Sequence, residues 1–207
     1  MIKGYNQYKD DFFNKLDYHF VKGKKLLDVG CGTATDAEIF VKEYGLKLFG
    51  IDVYEDENLR NVPITFKKGS IYKIPFQENM FDYVFVHDVL HHVDEPKHRE
   101  TVHKKALREL KRVCRKNGVI IIVEGNRFNP LFYPHMVKMR KHEHFRQDYL
   151  IRLIKDEFPK EKVTFKFFEA HFYPKKLLPL FKIYEFLMEH AVPKQFIAYN
   201  AAIITLQ

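Results

Sequence analysis

The chain has 207 residues, 46% apolar and 30% charged, enough to bury a full core and unlike a disordered segment. Its formal net charge of +8 is spread without a long basic tract, so a solvated basic surface competes with an anionic partner: nucleic acid, a lipid surface or a phosphorylated substrate. Two cysteines exclude a disulfide framework, and Met1 leads into a polar, aromatic helical pattern instead of a secretory leader, so a cytoplasmic protein is expected.

Tyr5, Tyr8, Phe12, Leu16 and Phe20 fall at helical spacing and predict a helix within residues 4–21. Leu26, Leu27 and Val29 then form a short apolar run suited to a strand buried on both faces. Gly30-Cys31-Gly32 follows at once, and glycines there let the backbone turn tightly and approach a ligand closely. Thr35 with Glu38 fits a capping box, opening a helix whose Ala37, Phe40, Val41 and Tyr44 share a face. Strand, glycine turn and helix N-terminus together describe the first half of a nucleotide-binding βαβ unit. A dinucleotide fingerprint would need G-x-G-x-x-G, and its last glycine is missing at Thr35.

Residues 46–51 (LKLFGI) predict a second strand, ending in Asp52. That acid lies about twenty residues beyond the glycine turn, where a strand-end carboxylate meets a ribose. An ionised carboxylate accepts hydrogen bonds from two vicinal hydroxyls at once. Residues 54–61 predict a short acidic helix, and residues 64–67 a third strand leading into Gly69-Ser70-Ile71 and Ile74-Pro75-Phe76. Residues 81–86 predict a fourth strand, followed by a loop from His87 to Pro96. A helix is expected over residues 99–116, with Val102, Ala106, Leu110 and Val113 as its buried stripe. Arg112, Arg115 and Lys116 suit its C-terminal dipole, and Gly118 supplies the stop. The run VIIIV at 119–123 reads as the interior of a parallel sheet. Tyr149, Leu150, Leu153 and Ile154 mark a further helix, residues 163–168 a sixth strand and residues 196–206 a closing one. Residues 174–190 are apolar on nearly every side but fall short of the ~20 uninterrupted residues of a membrane span. They suit a buried helix, a dimer surface or a lid over a lipid-like substrate.

In this order the segments resemble the class I S-adenosylmethionine (SAM)-dependent methyltransferases. DVGCGTATD resembles motif I, with Ala34 where the family most often has a third glycine, and GIDV resembles motif II. GSI and IPF stand where the family commonly has G-D-A and L-P-F, Ser70 replacing the acid. FDYVFV and VLHHVDEP are similar to the family's fourth strand and following loop, with Val86-His87 in place of the usual Ser-Asn. EGNRFNP resembles an E-x-N-x-x-N-P stretch of small-molecule members.

The resemblance, spanning residues 20–155, implies an α/β, Rossmann-like fold: a seven-stranded, mostly parallel sheet, helices on both faces and an antiparallel last strand. It implies a single domain, with residues 1–22 as a helical lid, 23–124 as the SAM-binding core, 125–190 as the substrate cap and 195–207 as the closing strand. SAM would be the methyl donor and S-adenosylhomocysteine (SAH) the product. The implied cofactor residues are Asp28, Gly30, Cys31, Gly32, Asp52, Val53, Gly69, Ser70, Ile71, His87 and His92, with Tyr8 from the lid.

Methyl transfer from a sulfonium requires donor and acceptor to be held close, aligned and dry. A base is needed only where the acceptor holds its proton tightly, and His144 and His91 are the candidates. His87, Asp88, His91 and His92 also invite a metal reading, but no HExxH-like third ligand follows and no metal is assigned. The expected acceptor is a small or lipid-like molecule. RNA or another macromolecule is the alternative, and a non-catalytic SAM- or SAH-binding module a third. No N-P-P-Y or D-P-P-Y follows the fourth strand, and neither cysteine is placed as a nucleophile, which weakens base methylation.

Overall fold

A computed structural model describes residues 5–95, 97–139, 144–173 and 175–207. Helix α1 (Tyr5–Leu16) precedes strand β1 (Lys25–Val29), helix α2 (Thr35–Lys42), and strands β2 (Lys47–Asp52), β3 (Ile64–Lys68) and β4 (Phe81–His87). Helix α3 (Glu100–Val113) leads into β5 (Cys114–Gly125), followed by α4 (Gln147–Glu157), β6 (Lys162–Phe168), α5 (Leu178–Ala191) and β7 (Tyr199–Thr205). The seven strands form one sheet in the order β3-β2-β1-β4-β5-β7-β6. β1 pairs in parallel with β2 and with β4, placing Leu27 between Phe49 and Val84. β3 and β5 extend the parallel portion on either side. Asn117 and Gly118 bond Leu206 while Asn126 bonds Ala198, so β5 and β7 run in opposite directions. This is the expected mostly parallel sheet with its antiparallel closure.

Two compact units share the chain: residues 20–123, 152–164 and 202–207 form one, and the described residues of 1–19, 124–151 and 165–201 the other. In the first, Leu26, Leu27, Val84, Phe85 and Ile120 to Ile122 are fully buried. That pattern demands continuous apolar runs, because a parallel strand between two helical layers has no solvent face. Edge-to-face contacts pin α2 on this sheet: the rings of Phe40 and Phe85 lie 4.9 Å apart, and those of Phe20 and Phe40 5.5 Å. Each such pair adds about 0.5–1.5 kcal/mol beyond its buried area.

Several sequence expectations shift. α3 ends at Val113, because Cys114 is already extended (φ −75°, ψ 136°). Arg115, Lys116 and Gly118 therefore belong to β5, and Gly118 is no helix stop. The buried face of α3 is His103, Ala106, Leu107, Leu110 and Val113, with Val102 only half-buried. The acidic helix after β2 is a 3-10 turn, Glu57–Asn61, capped by Asp56 Oδ1 accepting from the Asn58 N–H (2.9 Å). Of the residues 174–190 expected to be apolar on nearly every side, 174 lies outside the described residues, and those in α5 do not form a buried helix: within it only Glu185 and Met188 are buried.

In the second unit, Phe12 meets Phe168 and Tyr199 edge-on, with both centroid distances 5.4 Å. The two asparagines of EGNRFNP are clamps. Asn126 Nδ2 donates to the carbonyls of Gln195 (2.8 Å) and Ile197 (2.9 Å). Asn129 Nδ2 donates to Phe196 O (3.0 Å) and Glu169 Oε1 (3.1 Å), while its Oδ1 accepts from the Leu131 and Phe132 N–H groups. Glu169 is fully buried and fully used, since Oε1 also takes the Ala198 N–H (2.8 Å) and Oε2 pairs with His171 Nε2.

The capping box at Thr35 and Glu38 does not form. Ala34 is the N-cap of α2, left-handed at φ 64° and ψ 23°, with no side-chain cap. For alanine that conformation costs about 1–2 kcal/mol, and burial of its methyl returns about 0.8 kcal/mol. Gly30 differs: its φ is 76°, and a Cβ there would sit 2.4 Å from Val89 Cγ2. Ala34→Gly, which removes strain and packing together, is therefore expected to stay within about 1 kcal/mol of the parent in denaturant unfolding. Gly30→Ala is expected to cost at least about 2 kcal/mol. Equal effects at the two positions would contradict this assignment.

Candidate functional site

The C-terminal ends of β1, β2 and β4 come out on one edge of the sheet, where strand order reverses across β1. An open parallel sheet has its crevice at such a reversal. A cavity of about 490 Å³ lies there, and its lining includes Gly30, Gly32, Asp52, Ser70, Asp88 and His92.

Asp52 is the hub. It is 8% exposed, at the last position of β2. Its Oδ2 accepts from the Gly32 N–H (2.9 Å) and its Oδ1 from the Tyr54 N–H (3.4 Å). Its backbone carbonyl accepts from the Gly69 N–H (2.9 Å). One step back, the Ile51 carbonyl takes both the Gly30 (2.8 Å) and Cys31 (3.2 Å) N–H groups. The end of β2 thus fixes the glycine turn and the 69–71 loop at once.

Of the cofactor residues expected from sequence, Gly30, Gly32, Asp52, Val53, Gly69, Ser70, Ile71 and His92 are brought together on this cavity. Tyr54, Tyr72, Val89 and Asp88 join them and were not anticipated. Tyr54 could have been found from its place two residues past the strand-end acid. Asp28, Cys31 and His87 do not line the cavity. Asp28 is buried within β1. Cys31 is buried beneath the turn, where a Cβ on Gly50 would approach its Sγ to 3.0 Å. His87 Nδ1 bonds Asp36 Oδ2 (2.8 Å), tying the end of β4 to the first turn of α2. His91 is buried behind His92, their ring centroids 4.0 Å apart. In the second unit, the Tyr8 hydroxyl bonds that of Tyr199 (2.7 Å), and buried His144 stacks near Phe132 at 6.2 Å.

Burial, reinforced by Asp28 and Asp52, pushes the Cys31 thiol far above its ordinary range. Burial likewise pushes Cys114 up to about 12. Both thiols stay protonated at neutral pH, so neither is a ready nucleophile.

Residues 27–122 match the family profile described as a methyltransferase domain. The fold is that of the class I methyltransferases. An uncharacterized methyltransferase of Schizosaccharomyces pombe is 33% identical over 129 residues, covering 55% of this chain and 44% of that one. The demethylmenaquinone methyltransferase of Renibacterium salmoninarum is 32% identical over 118 residues, covering 55% and 46%. The chain thus spans about half the length of the curated relatives it matches. A SAM-dependent methyltransferase from Archaeoglobus fulgidus has the same fold, at a TM-score of 0.70 and 15% identity over 97% of this chain and 94% of that one.

The matched segment also braces its cavity from α3. Glu109 Oε2 accepts the Ile74 N–H (2.9 Å), and Arg112 donates to the carbonyls of Ile74 (2.9 Å) and Phe76 (3.0 Å) while bonding Glu109. The pair clamps the loop that runs on from Gly69, Ser70 and Ile71. Arg112 is therefore no simple dipole cap. His103, also on α3 and fully buried, donates from Nε2 to the Val93 carbonyl (3.0 Å) at the cavity wall. Both were invisible in the sequence, where only the i,i+3 spacing of Glu109 and Arg112 gave a hint.

Arg112 holds the Glu109 carboxyl below its ordinary range. A depressed folded pKa contributes stability above the unfolded value, about 4.3 for glutamate, which is lost as pH falls through the folded one. Glu109→Gln is expected to lower stability at pH 7 and to flatten part of the decline below about pH 4.3, read by denaturant unfolding across pH. An unchanged acid limb would show that the clamp carries no such linkage.

Proposed function

We propose that the chain transfers a methyl group from SAM to a small or lipid-like acceptor, releasing SAH. The observation that carries this reading is Asp52, a buried carboxylate on the cavity wall, held by the Gly32 and Tyr54 N–H groups. Each carboxylate oxygen has a second lone pair, so two vicinal ribose hydroxyls can be accepted without breaking those bonds. The glycine turn lets the backbone come close to the cofactor, and Ser70 with Ile71 forms the adenine side of the same cavity. Bound SAM supplies an electrophilic methyl on a sulfonium. The chain's part is to hold that group close to the acceptor and away from water.

Of the segment expected as the substrate cap, 125–190, the described residues of 125–151 and 165–190 lie in the second unit and 152–164 in the first. Where the acceptor is a hydroxyl, His144 or His91, both buried imidazoles, is the candidate base. The relative from Renibacterium salmoninarum, named for demethylmenaquinone, supports the lipid-like class of acceptor. RNA is less well supported, because most of the bases of α3 are spent on acids. Arg108 pairs with Glu157 and Lys111 with Glu161, both at 2.8 Å, and Lys104 with Glu100 at 2.8 Å. Among the described residues no helix is long and apolar enough to cross a membrane. A cytoplasmic location belongs to the same proposal.

Titration calorimetry with SAM and SAH, followed by transfer of labelled methyl to a panel of quinone, amine and hydroxyl acceptors, tests the reading. Binding of both ligands and label in an organic-extractable product is expected. Absence of SAM and SAH binding would overturn it. Binding without transfer would leave a binding module, and label in RNA with salt-sensitive RNA binding would move the acceptor class.

A further inference from the structure

Helix α5 turns its acids inward. Residues 175–191 contain two, Glu185 and Glu189. Glu185 is buried, and its Oε2 accepts from Lys15 Nζ and Lys182 Nζ, both at 3.0 Å. Lys15 Nζ also lies 2.8 Å from Glu189 Oε1. Asp11 draws Lys182 the same way, at 2.6 Å. Burial pulls the Lys182 pKa down, but its bonds to Asp11 and Glu185 outweigh that and hold the ammonium above its usual range.

What remains outside is apolar. Leu180, Ile183, Phe186 and Leu187 are 63%, 59%, 59% and 52% exposed. At the helical turn angle they share one arc of about 120°. Leu177, also exposed, extends the arc at its N-terminal end. Exposed Lys176 borders it just ahead of the helix, and His190 ends it. The His190 ring stacks on Phe186 at 4.2 Å, and its Nδ1–H donates to the Phe186 carbonyl (2.8 Å).

Large apolar side chains grouped on an exposed face mark a contact site. An apolar outer arc with a lysine at its border matches the boundary between headgroups and acyl chains of an anionic bilayer. We propose that the outer face of α5 docks the protein on an anionic lipid surface. The lipid-like acceptor proposed above gives this docking its purpose. Docking itself needs neither cofactor nor acceptor, so the two readings can fail separately.

The full chain is sedimented with sucrose-loaded vesicles of phosphatidylcholine, with and without phosphatidylglycerol, in the absence of SAM. Binding is expected to be stronger to the anionic vesicles and to weaken with added salt. The double variant Leu180→Ser and Phe186→Ser should bind them at least about tenfold more weakly. Lys176→Ala should lose about fivefold on anionic vesicles only. Circular dichroism and unchanged SAH binding verify that each variant is folded. Failure of the parent chain to bind either vesicle overturns the proposal, as does a double variant that binds like the parent. A dimer that dissociates in the double variant, without vesicle binding, overturns it in favour of self-association.

Discussion

A carboxylate taken out of water must be repaid in hydrogen bonds, and at Asp52 the repayment organises the cavity. A hydrogen bond to a charged group contributes about 1.5–3 kcal/mol, roughly twice an ordinary one. The Gly32 N–H supplies the short bond at 2.9 Å and Tyr54 a longer one at 3.4 Å. Because the partners are backbone groups, the acid's position and the turn's conformation are one constraint. The adjacent bonds from Gly69 to the Asp52 carbonyl and from Gly30 and Cys31 to that of Ile51 spread it over three segments. Gly30 must then be glycine for two reasons, its positive φ and the closeness of Val89.

Around that hub the chain builds braces, not further ligands. His87 is spent on Asp36, His103 on the Val93 carbonyl, and Arg112 with Glu109 on residues 74–76. Each fixes a loop whose backbone forms the cavity wall or leads away from it. The second unit uses the same economy in Asn126, Asn129 and Glu169, whose side chains satisfy backbone groups of residues 195–198. Buried polar groups with complete partner sets specify one arrangement, since any slip leaves a donor or acceptor stranded.

The parallel strands were legible because burial on both faces writes itself as unbroken apolar runs, as in VIIIV at 119–123. Asp52 was legible for a related reason: its strand and its distance from the glycines fix where it must end up. What escaped was decided by tertiary partners. Thr35 cannot cap α2 because Ala34 takes the left-handed cap position. α3 stops at Val113 although Arg115 and Lys116 suit a helix, because Cys114 and residues 119–123 pair with β4. The apolar residues of α5 suited a buried helix, a dimer surface or a lid, and Lys15 and Lys182 draw Glu185 inward and leave the leucines outside. The net charge of +8 was similarly opaque, since pairing with α4 and its flanks neutralises much of α3.

The central claim is that the Asp52 carboxylate, fixed by the glycine turn, selects a ribose. Its most direct measurement compares the affinities of SAH and its 2′,3′-dideoxyribose analogue for the parent chain and for Asp52→Ala. The account predicts that the parent discriminates against the analogue by at least about tenfold, the value of one hydrogen bond to a charged group, and that Asp52→Ala binds both alike. Equal binding of the two ligands by the parent, or undiminished discrimination by the variant, would contradict it.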